Sequence, residues 1–498
     1  MPLLLLLLLL APAAAPQSGD DVTDESTPEY RKALELWKKG QWTSAQKTFR
    51  SLLDKYPFSV HAREIEVRSD DNCYLGVAPV HRSGPAGKRI DVAVMGDGFT
   101  IDPPDQSLEE KWAKLCVDVL FNEKSFAEYR EAFNVYFVRL ASLEEGVDPQ
   151  LSEAERARIE ERNRRRVRKR KTDYSTALDC KAAGPQNQVM ADPGLVMRWL
   201  DIADGDLPGC GEDRLVIAFA RFGVLGMGGG GIANVGRPDK SITVHEFGHA
   251  FTGLEDEYAV NPNPPDFPIR AANAATTSDP MEVPWKHFLK AKVPEVGIFE
   301  GGATHQKGVW RPARTCAMNS AGATQFCPVC REANVLAIYS FLNPIDDATP
   351  DPAEEVRVAP GGKRDLVVVP FAPRTHELTV EWWVAPLPDG EPLTAGAPAD
   401  SGGAGRNGFP GGFPAGLGTR GPRAGTDRAA YGAPPPGERS ALAKDAGGKP
   451  RRSVFPAGSL ASGRWLVTAE AKDSTPWVLQ DPDHLLVERV CWRVSVAE

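Results

Sequence analysis

The chain has 498 residues, more than one ordinary hydrophobic core accommodates, so two or three domains are expected. Hydrophobic residues make up 42% and charged residues 25%, a balance that excludes a mainly disordered chain and a polytopic membrane protein. A formal net charge of -9 over this length provides no electrostatic footprint for nucleic acid.

The chain opens MPLLLLLLLLAPAAAPQSGD, where residues 3–10 are apolar and small residues follow that offer an Ala13-x-Ala15 cleavage site. Residues 1–20 are therefore expected to be a signal peptide, although no Lys or Arg precedes the leucines. The run is shorter than the ~20 residues a spanning helix needs. No other stretch is long and apolar enough to cross a bilayer, so no stable span is expected after cleavage. A secreted or periplasmic protein follows, with attachment to the cell surface left open. Eight cysteines suit an oxidising compartment in which some would pair. Cys327-Pro-Val-Cys330 resembles half a zinc knuckle or a redox pair, but no second CxxC stands at zinc-finger distance, and disulfide use is preferred.

Residues 28–78 are expected to hold a helical hairpin and a linker. Tyr30, Ala33, Leu34 and Trp37, then Ala45, Phe49, Leu52 and Leu53, recur at helical spacing on either side of Gly40-Gln41. With that glycine at the turn and Pro57 at the close, the hairpin resembles one tetratricopeptide unit, which cannot bury its own face alone. A catalytic domain is expected over 79–345. It opens with IDVAVMGDGFT, a short buried strand from Ile90 that ends in Gly96-Asp97-Gly98 and leads to a helix around 108–120. Neither P-loop spacing nor a GxGxxG is present, which excludes a phosphate cradle of those kinds. Residues 133–140 and 213–220 supply two further strands. The arginine-dense stretch 152–172 lacks aromatic interleaving and reads as a charged helical insertion, not a nucleic-acid surface. GMGGGGI at 226–232 packs five glycines into seven positions, which predicts a pliable edge segment beside the cleft.

The chemistry is concentrated in TVHEFGHAFTGLEDEY, residues 243–258. His245 and His249 lie four apart, so on a helix both imidazoles leave one face and can share a zinc ion. Glu246 follows the first of them and is placed to take a proton from a zinc-activated water as general base. Gly253 breaks the helix, and its left-handed conformation would swing one of three following acids back to the metal. Asp256, three residues on, is the expected third ligand; Glu257 is second choice, and Glu255 is expected to face solvent.

Taken with the strand VAVMGDGFT, the segment FAEYREAFNVYFVRLASLEEGVD, the GGGG loop, GGATHQKGVWRPARTCAM and FCPVC, the motif HEFGHAFTGLEDEY resembles the immunoglobulin A peptidase family of zinc metallopeptidases. These features run in order from about residue 88 to 345. The resemblance implies an α/β zincin-like metallopeptidase core with zinc as cofactor, His245, His249 and Asp256 as metal ligands and Glu246 as the base. It departs from ordinary metzincins, whose glycine comes one residue earlier and whose third ligand is His. Met318 resembles the methionine turn beneath the metal in metzincin-like enzymes. Tyr258 and Arg311 are candidate donors to the oxyanion, and His305 is a candidate for the cleft wall.

Beyond residue 350 the texture is β, with candidate strands at 363–370, 378–384, 463–469 and 487–496. A C-terminal immunoglobulin-like β-sandwich is expected over 353–498, interrupted by a disordered Gly/Pro-rich insert at 386–457. Every candidate catalytic residue precedes 320, so this module is expected to be separable from the chemistry. The expected function is a secreted zinc-dependent endopeptidase acting on protein or peptide substrates. The alternative is a binding or adhesion protein on a degenerate peptidase scaffold; intact His245, Glu246 and His249 favour the enzyme.

Overall fold

A computed structural model of the chain describes residues 26–164, 171–183, 188–223, 225–319, 322–359, 361–387, 437–441, 444–445 and 451–498. The expected signal peptide lies outside the described residues, as does most of the insert expected at 386–457. The chain resolves into two compact units, residues 1–70 and 71–498. No helix among the described residues is long and apolar enough to cross a membrane.

Among its described residues the first unit contains three helices, Thr27–Lys38, Trp42–Lys55 and Ala62–Ser69. Tyr30, Ala33 and Trp37 from the first meet Ala45, Phe49 and Leu52 from the second, and all six are buried. Gly40 turns the chain between them at φ +73°. The third helix adds buried Ile65, and His61 just before it stacks on Tyr30 at 3.9 Å between ring centroids. Those residues cover apolar surface that two helices alone would leave in water. The linker expected up to residue 78 is partly a strand instead: Cys73–His81 pairs antiparallel with Phe133–Ala141 in the second unit. Three buried residues at its start, Cys73, Tyr74 and Leu75, explain why it joins a sheet.

The second unit is built on a six-stranded sheet. Across it the strands run Cys73–His81, Phe133–Ala141, Ile90–Asp97, Leu215–Ala220, Ile232–Val235 and Met227–Gly229. The inner pairs are parallel and the outermost strand on each side is antiparallel. Ile90–Asp97 and Leu215–Ala220 are buried at every position, which is why Leu215–Ala220 reads as a continuous apolar run and Ile90–Asp97 as one interrupted only by the buried Asp91 and Asp97. Helices Pro103–Leu120, Lys240–Phe247 and Pro328–Phe341 contribute Val117, Phe247 and Ile338 to the same core as Val92, Val94 and Phe219.

The Gly96-Asp97-Gly98 turn serves the fold. Buried Asp97 accepts hydrogen bonds from Leu178 N (2.8 Å), Thr176 Oγ1 (2.8 Å) and Cys180 N (3.1 Å), so it anchors the loop at 176–180 to the sheet. The described part of the arginine-dense stretch is the helix Glu153–Arg164, which buries no residue. All eight cysteines are free thiols, in place of the pairs expected from their number. Seven are buried, where an unpaired cysteine packs as a small apolar side chain.

Among the described residues, two of the remaining four sheets lie toward the C-terminus. One holds Ile345–Thr349, Asp365–Pro370, Ser453–Pro456 and Lys444–Asp445; the other holds Glu355–Val358, Val487–Val496, Gly463–Lys472, Thr379–Pro386 and Glu438–Arg439. Leu366, Val368 and Phe455 from the first share a core with Trp382, Val467 and Trp492 from the second. Trp382 stacks on Phe455 at 5.4 Å and on Trp492 at 5.6 Å. Phe455 falls within the expected disordered insert, whose described parts are strand at 438–439, 444–445 and 453–456. Here one deeply buried aromatic outweighs the surrounding Gly/Pro composition.

These sheets pack against the rest of the second unit. Phe371, Leu378, Leu485 and Leu486 belong to the same buried cluster as Tyr129 and Tyr339. A polar network crosses the junction. His376 Nδ1 lies 2.8 Å from Glu128 Oε1 and its Nε2 2.8 Å from Asp473 Oδ1, while the Tyr129 and Tyr339 hydroxyls donate to Asp473 Oδ2 at 2.8 and 2.6 Å. The hydrogen bond to Asp473 is the main cause that raises the His376 pKa. Burial pushes the Asp473 and Glu128 carboxyls up, but their hydrogen bonds, to His376 among others, bring both below the usual range.

The signs of these shifts set a pH window. A raised imidazole contributes stability in full below its unfolded pKa of ~6.5 and loses it as pH climbs through the folded value. Depressed carboxylates contribute above their unfolded pKa of ~4 and lose it as pH falls through the folded values. The network is therefore expected to stabilise most between about pH 4 and 6.5. Asp473→Asn should cost roughly 2 kcal/mol at pH 6, discounted from a fully buried pair because the imidazole is partly exposed. It should also flatten the decline in stability above pH 7. Urea midpoints across pH test this, and a variant whose pH profile parallels the parent would show that the network does not join the sheets to the core.

Candidate active site

The helix Lys240–Phe247 begins at Asp239, whose carboxylate accepts from the Ser241 and Ile242 N–H groups, each at 2.9 Å, and so satisfies donors that have no partner within the helix. It runs on into a π-helical turn, Gly248–Thr252, and stops at Gly253 with φ +67°. Gly253 N–H donates to His249 O and Leu254 N–H to Gly248 O, both at 3.2 Å, which closes the end. A left-handed residue is needed there, and glycine takes that conformation without a Cβ penalty. The chain reverses, and Asp256 comes back onto the two histidines.

Three atoms meet. His245 Nε2 and His249 Nε2 are 3.1 Å apart, and Asp256 Oδ1 lies 3.0 Å from the first and 3.2 Å from the second. The opposite ring nitrogens are engaged: His245 Nδ1 with Ala317 O at 2.9 Å and His249 Nδ1 with Leu254 O at 2.5 Å. A carbonyl accepts only, so Nδ1 carries a proton in each ring, and Nε2 is the atom left to take a metal or a second proton. Two lone pairs and a carboxylate oxygen at such separations repel unless a cation or proton sits among them. The donor set of two nitrogens and one oxygen suits zinc, so the residues present fit a metal.

Electrostatics follow from the same packing. Burial alone would lower both imidazoles, but the Asp256 carboxylate outweighs it, raising His245 and taking His249 to about 9. Burial likewise pushes Asp256 up, and hydrogen bonds from both imidazoles then hold its carboxyl far below the usual range. Glu246 is buried beside them, and burial raises its pKa while the histidines pull against that shift. A carboxyl raised in this way exchanges a proton more readily near neutral pH than an exposed one.

The glycine-rich edge strand lies directly against this helix. A Cβ on Gly228 would stand 2.3 Å from Glu246 O and 2.8 Å from His249 Cβ, and one on Gly226 would stand 2.7 Å from Glu246 Cγ. Met318 is fully buried, and a Cβ on Gly248 would lie 2.9 Å from its sulfur, so it packs under the helix at the π-helical turn. Tyr258 is half-buried with its ring stacked on His245 at 6.1 Å between centroids. Burial and then Asp256 push its phenol pKa up, which keeps it a protonated donor beside the histidines.

Other candidates are placed differently. Arg311 donates to Glu300 O (2.9 Å), Gly301 O (2.6 Å) and Ala313 O (3.2 Å), so its guanidinium clamps the hairpin of Phe299–Gly302 and Thr304–Arg311 and is spent on backbone. These bonds engage its Nε and Nη1. His305 is buried, with Nδ1 2.7 Å from Asn263 O. Glu257 is fully buried among Cys316, Cys327 and Cys330, away from the histidines. Glu255 is tied through its backbone to Asn273, which accepts from Glu255 N at 3.0 Å and donates to Glu255 O at 2.8 Å. Asn273 was not singled out from sequence. Its role as a backbone clamp leaves no motif, and neither do the orienting carbonyls of Ala317 and Leu254.

Gly228→Val should disturb the helix bearing both histidines, because the added carbons collide with its backbone. Metal retention after dialysis is expected to fall well below the parent's, with the same far-ultraviolet circular dichroism. A variant that binds metal as the parent does would show that the edge strand can move aside.

No curated protein matches the chain. The model of the family described as IgA Peptidase M64 matches residues 78–160 and 288–338. The first segment carries the strands Ile90–Asp97 and Phe133–Ala141, and the second carries Met318 and the CPVC pair. The HEFGH helix stands between the two matched segments. Over these segments the chain is similar to the IgA peptidase M64 family, the same family that its HEFGHAFTGLEDEY motif and accompanying segments resemble.

Proposed function

We propose that the protein is an exported zinc-dependent endopeptidase of zincin-like fold, with His245, His249 and Asp256 as metal ligands and Glu246 as general base. The observation that carries this reading is the convergence of three possible ligand atoms, two imidazole nitrogens and a carboxylate oxygen, within 3.2 Å of one another, beside a buried glutamate. Three protein ligands with a fourth position left open are the pattern of catalytic zinc sites. Zinc bound there supplies Lewis acidity toward the scissile carbonyl and lowers the pKa of water in the open position.

The chain's own groups do the rest. Glu246 takes the proton of the attacking water and hands it to the departing amide nitrogen, a transfer suited to a carboxyl whose pKa burial has raised. Tyr258, held as a neutral phenol, donates toward the oxygen that gains charge. The edge strand Met227–Gly229 offers backbone groups to an extended substrate, and its glycines let that backbone approach the helix. Protein and peptide substrates follow from the peptidase family match. The two C-terminal sheets sharing one core are read as an immunoglobulin-like sandwich that braces the catalytic unit.

Two measurements test the assignment. Glu246→Gln should keep its zinc and lose activity on a peptide library by about 10²–10⁴-fold; activity near that of the parent would remove Glu246 from the mechanism. Asp256→Ala should lose the metal held by the histidines, whereas Glu255→Ala should retain it. Retention in the first and loss in the second would reverse the ligand assignment.

A further inference from the structure

A second group of ligand atoms lies on the other side of the Asp256 segment. Glu257 Oε1 is 3.1 Å from Cys330 Sγ and 3.9 Å from Cys327 Sγ, and Cys316 Sγ is 3.7 Å from Cys330 Sγ. All four ligand atoms lie within 4.8 Å of one another. Glu257, Cys316 and Cys330 have no exposed surface, and Cys327 has 4%. Glu257 Oε2 is buried without a hydrogen-bond partner. A carboxyl group sealed among three thiols with one oxygen left without a partner is a costly arrangement unless a cation joins it.

We propose that Glu257, Cys316, Cys327 and Cys330 form a second, closed metal site that takes a structural zinc ion in tetrahedral coordination by three thiolates and one carboxylate. With Zn–S ~2.3 Å and Zn–O ~2.0 Å, tetrahedral geometry sets the ligand atoms about 3.8 Å apart for sulfur pairs and about 3.5 Å for sulfur and oxygen. Of the three sulfur pairs, Cys316–Cys330 stands at 3.7 Å, the sulfur–oxygen separations of Cys330 and Cys327, 3.1 and 3.9 Å, bracket the second value, and the remaining pairs lie within 4.8 Å. A disulfide would use two of the sulfurs and leave the carboxylate and the third thiol unexplained. Four protein ligands and burial on all sides leave no position for water or substrate, so the ion is structural. Its binding releases the thiol protons. Hydrogen bonds from Cys327 N to Cys316 Sγ (3.3 Å) and from Asn273 Nδ2 to Glu257 Oε1 (3.1 Å) offset part of the ligand charge.

Such an ion would fasten three pieces of chain. Glu257 lies beside Asp256, Cys316 lies one residue before the Ala317 carbonyl that orients His245, and Cys327 and Cys330 start the helix Pro328–Phe341. Glu257 N–H already donates to Met318 O at 2.7 Å, joining the first two pieces. This bearing on the histidine site rests on the catalytic reading above, whereas the cysteine site stands on its own distances.

Metal counting and zinc-edge X-ray absorption on the full-length protein test the proposal. The parent should hold about two zinc ions per chain, with sulfur neighbours near ~2.3 Å. His245→Ala/His249→Ala should keep about one, now with mainly sulfur neighbours, and adding Cys327→Ser/Cys330→Ser should remove it. Zinc in the parent without sulfur neighbours overturns the proposal, as does a folded histidine variant with no metal. The parent spectrum decides even where the variants fail to fold. A single zinc that survives in the histidine variant upholds the cysteine site and defeats the catalytic one; a single zinc lost there does the reverse.

Discussion

Two imidazoles and a carboxylate that converge within 3.2 Å of one another make up the constraint on which the candidate site depends. Left free, such groups would rotate apart or pick up protons. Here each imidazole is fixed from behind, His245 by the Ala317 carbonyl and His249 by the Leu254 carbonyl. Asp256 is fixed by the reversal at Gly253. The π-helical turn, the buried Met318 under Gly248 and the bare edge strand over Glu246 all keep this helix end from relaxing. A site rigid enough to hold three acceptors together is preorganised for a cation.

The three consecutive acids show how one backbone path assigns different tasks. Glu255 is anchored by its main chain to Asn273, Asp256 meets the histidines, and Glu257 meets the cysteines. Neighbouring residues of an extended chain point to opposite sides, so placing Asp256 toward one cluster turns Glu257 toward the other. Two sets of ligand atoms are thus separated by a single peptide unit. Asn273 touches both sides, accepting from Glu255 N and donating to Glu257 Oε1.

The C-terminal sheets matter to this arrangement through the helix Pro328–Phe341. Its N-terminal end carries Cys330, and its C-terminal half carries Tyr339, which donates to Asp473 beyond the sheet strand Gly463–Lys472. Glu332 on the same helix accepts from the backbone of Leu479 and Gln480. The helix that packs beneath the candidate site is therefore held at both ends by residues far away in sequence, and what looked like an appended module is part of its support.

Much of the local chemistry could be read from the chain alone, because it rests on short-range rules. His245 and His249 share a face by helical periodicity, Gly253 is left-handed because the helix must end there, and the mainly apolar runs at 90–97 and 215–220 are buried strands. The order of strands could not be read: glycine content marked 227–229 as an edge, but the opposite edge, 73–81, lay in an expected linker, and both meet their partners by tertiary contact. Nor could the cysteine cluster be read as a unit: CPVC was visible, but its remaining members, Cys316 and Glu257, follow no fixed spacing and converge only through folding. Arg311 shows the same limit in reverse, because a charged residue near a motif looks free to act until the backbone carbonyls that occupy it are in place. Periodicity and turn chemistry act over a few residues and leave a record in the sequence. The partners of a buried polar atom are chosen by packing between distant segments, and only the tertiary structure decides them.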